Sequence, residues 1–136
     1  MSLPKDLGAA FSAGAFGGLA NGLAVWLFGR LGITAALGVG IAPGLSPAML
    51  YPRIVWGGLW GFLFLLGRPR GNAWKRGLVL SLGPTLVQLL YIFPLKSGQG
   101  VLGLDLGLLT PLFVVFFNAV WGLAAVLWFR LSGQRA

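Results

Sequence analysis

The chain has 136 residues, of which 57% are hydrophobic and 9% charged, with a mean hydropathy of +0.89. Soluble domains carry about a quarter charged residues, so a water-soluble globule is excluded, and the apolar and aromatic content excludes disorder. Ten Lys and Arg stand against two acids, Asp6 and Asp105, giving +8, and there is neither His nor Cys. This removes disulfides, thiolate metal sites and thiol nucleophiles. The solvent such a composition demands is hydrocarbon, and it predicts an all-α integral membrane four-helix bundle, one transmembrane domain over residues 1–136.

The predicted elements are set by where the charges stop. Between Asp6 and Arg30 lie 23 uncharged residues, enough to cross a core that needs about 20, so the first span is placed at 7–30. Lys5 followed by an apolar stretch resembles a secretory leader, but the stretch is too long and too Gly-rich for a compact leader core, and it reads as an uncleaved span. Ala10, Gly14, Gly18 and Gly22 recur every four residues and therefore share a helical face. In hydrocarbon, helices associate through close contact, which small residues permit, either within one chain or along a homo-oligomeric seam.

Residues 31–51 are also uncharged, yet Gly38, Gly40, Pro43, Gly44 and Pro47 are poor helix formers. They predict either a re-entrant segment or an apolar loop in the headgroup region. The uncharged run 54–67 has 14 residues, about 21 Å of helix against a core of about 30 Å. The second span must then begin earlier, at Ser46 as cap and Pro47 as first-turn proline, and run 47–67. This puts Pro52 inside it as a kink and Arg53 in or near the membrane, with Gly57 and Gly61 as packing residues.

Arg68, Arg70, Lys75 and Arg76 form a basic loop between apolar runs. The cluster predicts a cytoplasmic loop facing anionic lipid headgroups rather than nucleic acid. The third span, 75–94, carries Ser81, Thr85 and Gln88 at i, i+4 and i+7 on one face, and Pro84 there frees the Leu80 carbonyl. The fourth, 108–131, carries Asn118, Gly122 and Ala125 on one face.

Four spans put both termini on one side. With the termini inside, Lys5, Arg68, Arg70, Lys75, Arg76, Arg130 and Arg135 lie in the cytoplasm, and Arg30, Arg53 and Lys96 lie outside. Seven against three favours N-in, C-in. Trp26, Trp74 and Trp128 near span ends agree with interfacial indoles.

With these spans, Asn21, Gln88 and Asn118 each fall about 3–5 Å to the outer side of the midplane. Amides facing lipid are costly, so the three are expected to point inward and meet. They are either interhelical clasps or, with Ser81, Thr85 and Arg53, the polar centre of a solute path. Arg53 then favours an anion over a cation, since no carboxylate lies in the membrane to carry a proton. Ser46, Ser81 and Ser97 have no His partner, and no metal or cofactor motif is present, so no enzyme, metal or cofactor is expected.

The stretches Pro52-Arg53-Ile54-Val55-Trp56-Gly57-Gly58, Tyr91-Ile92-Phe93-Pro94-Leu95-Lys96, Leu109-Thr110-Pro111-Leu112-Phe113 and Phe117-Asn118-Ala119-Val120-Trp121-Gly122 resemble a group of small, uncharacterised bacterial inner-membrane proteins. That resemblance covers most of residues 50–130 and implies a four-span fold in the plasma membrane, without an activity. Small multidrug exporters are of similar length but depend on a first-span glutamate, and this chain has no Glu. The sequence thus predicts an oligomeric conduit or carrier for a small neutral or anionic solute. The alternative is a non-transporting accessory subunit packed on a larger membrane complex through its glycine faces.

Overall fold

A computed structural model describes residues 3–66 and 71–133. All regular structure in those residues is helical. Four helical runs are long and apolar enough to cross a membrane: Leu3–Arg30, Pro47–Leu65, Ala73–Lys96 and Thr110–Leu131. Such a set marks a multi-pass membrane protein. One end of the bundle, here the terminal end, gathers Leu3, Leu65, Ala73 and Leu131; the other, the loop end, gathers residues 31–46 and 97–109.

Helix α1 is the 28-residue run Leu3–Arg30, with Asp6 in its first turn and Arg30 in its last. Both charges oppose the helix dipole favourably. Gly32 then takes the left-handed conformation and starts the four-residue α2, Ile33–Ala36. Residues 37–46 are irregular but tied down. The Thr34 hydroxyl donates to the Ile41 carbonyl at 2.8 Å, and the Gly40 N–H donates to the Leu106 carbonyl at 2.8 Å. Val39 is buried against Val25, Phe113 and Phe117. The segment therefore folds as a lid on the loop end of α1 and α6, its polar backbone partly satisfied by the turn that precedes α6.

Helix α3, Pro47–Trp60, starts where the serine–proline pair directs it. Ser46 has extended backbone, its Oγ accepts the Met49 N–H at 3.2 Å, and Pro47 stands in the first turn. Pro52 lies inside the helix, and the chain continues as a tight 3₁₀ turn, Gly61–Leu65. The third run is the least regular. Asn72 caps α4, Ala73–Leu80, by accepting the Trp74 N–H at 2.9 Å. The helix breaks at Ser81, resumes as α5, Leu82–Val87, and widens to a π-helix over Gln88–Lys96. Two prolines account for this: Pro84 cannot donate to the Leu80 carbonyl, and Pro94 would clash with the Leu90 carbonyl in α-helical geometry. The single span expected at 75–94 is thus two α-helical pieces and a π-turn. A 3₁₀ turn, Val101–Leu106, leads to α6, Thr110–Leu131.

Packing runs in the order α3, α1, α6, then α4 with α5. The glycines set how close these neighbours come. A Cβ on Gly14 would collide with the Gly57 and Gly61 backbone, one on Gly18 with the Arg53 carbonyl, and one on Gly77 with Gly122. Toward the terminal end, Ala10, Ala13, Phe64, Trp121, Ala125, Val126 and Phe129 form one buried cluster. Helix α3 packs on α1 and the third run packs on α6. They meet near Gly83, which lies under Leu63 and Trp60. Above that contact, toward the loop end, a gap remains between them.

Candidate functional site

The gap is a cleft of about 550 Å³, within the range typical of ligand pockets. One wall comes from α3, where Arg53, Trp56, Gly57 and Trp60 recur at i, i+3, i+4 and i+7 and so share a face. The facing wall comes from Pro84, Val87, Gln88, Tyr91 and Ile92 of the third run, with Lys96 at its end. Gly18 and Asn21 of α1, with Asn118 and Trp121 of α6, make the floor. Trp121 is held rigidly there, because its indole N–H is shared between the Gly14 carbonyl at 3.1 Å and the Gly57 carbonyl at 3.2 Å. One side chain thereby joins three helices.

The expected amides meet on this floor. Asn21 is 8% and Asn118 7% exposed, and Gln88 is half-buried. Arg53 Nη1 donates to Asn21 Oδ1 at 3.0 Å. A guanidinium can only donate, so the Asn21 oxygen must face it and the Asn21 nitrogen must face α6. That nitrogen donates to the Phe117 carbonyl at 2.9 Å and reaches Asn118 Oδ1 at 3.5 Å. The Asn118 nitrogen in turn donates to Thr85 Oγ1 at 3.1 Å and Gln88 Oε1 at 3.4 Å. The Thr85 hydroxyl donates to the Ser81 carbonyl at 2.8 Å, and the Ser81 hydroxyl donates to the Leu78 carbonyl at 2.6 Å. The chain Arg53, Asn21, Asn118, Gln88 thus spans α3, α1, α6 and the third run.

Its direction has a chemical consequence. Acceptors are consumed along the chain, and donors are left over at its ends. Among the described residues, Arg53 makes one side-chain hydrogen bond out of five possible N–H donors, and the Gln88 amide nitrogen makes none. Arg53 and Lys96 are the charges on the cleft, and no carboxylate among the described residues lines it. The site therefore offers donors and positive charge to a ligand that brings acceptors.

The remaining predicted residues fall elsewhere. Gly22 lies under the Leu50 and Arg53 side chains, and Gly122 on Gly77, so the glycine faces are filled from within the chain. Of the basic cluster assigned to headgroups, Arg68 and Arg70 lie outside the described residues, while Lys75 is exposed. Arg76 turns back instead, donating to the Phe64 carbonyl at 2.9 Å and the Leu66 carbonyl at 2.7 Å. It caps the end of the second run, as basic side chains do for orphan helix carbonyls.

Sequence reasoning missed Trp56, Trp60, Tyr91, Lys96 and Trp121 as parts of the site. A signal for the first two was present, since they repeat with Arg53 at helical spacing. No family model matches the chain, and no curated protein or solved structure matches it.

Proposed function

We propose that the chain is a carrier for a small neutral or anionic solute, embedded in a bacterial plasma membrane with both termini in the cytoplasm. The orientation rests on the seven-to-three distribution of Lys and Arg. The observation that carries the function is the donor chain from Arg53 to Gln88 on the floor of a ligand-sized cleft. Plain interhelical clasps need no cavity beside them, whereas these amides border one.

A carrier fits better than an open conduit. The cleft ends where Trp60 and Leu63 meet Gly83, and the packed cluster around Trp121 and Phe129 lies beyond. Passage requires that contact to open, the usual logic of alternating access around a midmembrane site. An accessory role through the glycine faces has less support, because Gly14, Gly18, Gly57, Gly61 and Gly122 are occupied by neighbouring helices of the same chain.

Flux in liposomes tests the reading, comparing wild type with the Gln88→Leu, Asn118→Leu double variant. The expected outcome is uptake of a small anion or neutral solute by wild type, lowered about tenfold or more in the variant, as expected when binding groups worth over a kilocalorie are lost. Absence of flux for every solute tried, or equal flux from a folded double variant, overturns it.

A further inference from the structure

We infer, resting on that reading of the cleft, that the ligand is an anionic amphiphile: a single-chain lipid whose head is a phosphate or carboxylate. Three independent features of the cleft point to it.

The first is charge. Arg53 and Lys96 both border the cleft, and among the described residues no Asp or Glu does. With four guanidinium donors unbonded among the described residues, Arg53 can still grip an oxyanion after its bond to Asn21. The second is the order of groups along the bilayer normal. Lys96 ends its helix at the loop end, and Arg53 lies six residues into α3, about 9 Å from its start. Below Arg53 come Trp56 and then Trp60, one further turn each. Charge at the top, amide donors beside it and aromatic surface below match the head, ester and chain of a lipid standing in that leaflet.

The third is the mouth. Trp56 and Tyr91, one on each wall of the cleft, are 60% and 55% exposed, so the cleft has an apolar lateral edge as well as its loop end. In a bilayer that edge faces acyl chains. A hydrated ion would have to shed its water to cross that edge, at high cost, and is left to the loop end. A lipid enters with its chain already in hydrocarbon, and only its head exchanges partners.

Native mass spectrometry of the full chain in neutral detergent tests this with three probes: palmitoyl lysophosphatidic acid, palmitoyl lysophosphatidylcholine and inorganic phosphate. Wild type is expected to bind the lysophosphatidic acid about tenfold more tightly than the choline lipid. Inorganic phosphate is expected not to displace it. Lys96→Gln and Trp56→Ala should each weaken it several-fold, and Lys75→Gln should not. Lys96 and Trp56 are exposed, so both variants keep the fold, and Lys96→Arg should restore binding. Equal binding of the two lipids overturns the inference, because the head is then not read. Displacement by phosphate, with Trp56→Ala neutral, overturns it in favour of a free anion. Binding that ignores Lys96 and Trp56 places the lipid elsewhere and also overturns it. Anion flux by the same preparation reads the carrier proposal separately, so the amphiphile can fall while the carrier stands.

Discussion

Asn21 and Asn118 are both buried amides, yet they do different work. Asn118 joins neutral groups, Thr85 and Gln88, and Thr85 still donates to the Ser81 carbonyl without it. Membrane hydrogen bonds of this kind contribute about 0.6 kcal/mol each, so Asn118→Leu should cost about 1 kcal/mol. Asn21 is the acceptor that faces the Arg53 guanidinium. Removing it strands a charge in low dielectric, and bonds to charged groups are worth about 1.5–3 kcal/mol. Asn21→Leu should therefore destabilise the protein by about 2 kcal/mol, measured by unfolding in mixed micelles. Equal losses at the two positions would show that Arg53 does not depend on Asn21. At this scale the sequence was informative about the amides, because a carboxamide among apolar residues must find a partner. It was silent about which atoms pair, since that depends on side-chain direction across three helices. Trp121 shows the limit: its spacing gave no hint that its indole would bridge Gly14 and Gly57.

Helices in this chain are apolar on every side, so periodicity says little about which face meets which neighbour. Small residues carry that information instead. Gly8 has nothing within 4 Å of where a Cβ would stand, whereas Gly14 lies against the backbone of Gly57 and Gly61. Gly8→Ala should be neutral or stabilise by up to about 1 kcal/mol through helix propensity. Gly14→Ala should destabilise by about 1–3 kcal/mol, because α1 and α3 must move apart. Thermal unfolding in detergent distinguishes these signs, and a Gly14 variant as stable as wild type would contradict the α1–α3 seam. The start of α3 was legible from Ser46 and Pro47, since capping is local chemistry. The break at Ser81 was partly legible in Pro84. The π-turn over Gln88–Lys96 was not, although Pro94 is its local cause, because proline alone does not say whether a helix will kink, stop or widen.

For the whole molecule, the four long apolar helices could be read from charge spacing together with the Gly and Pro content of residues 31–51, because a bilayer tolerates few charges over about 20 residues. The cleft could not. It arises because α3 packs on α1 and the third run on α6 without filling the space between them, and that arrangement depends on the order of packing rather than on any one stretch of sequence. A carrier with Trp60 and Leu63 seated on Gly83 holds this cleft closed toward the termini and reached from the loop end. The chain contains no cysteine, so a single one at position 88 reports on that geometry alone. Gln88→Cys, treated with a small membrane-impermeant anionic thiosulfonate from each side in turn, should react much faster from the side opposite the termini than from theirs, which is reached only when the contact at Gly83 opens. Val114→Cys, 2% exposed, should react from neither. Equal or faster reaction of the Gln88 variant from the side of the termini, or none from either side, would contradict a cleft closed there by Trp60 and Leu63 with the amides at its floor.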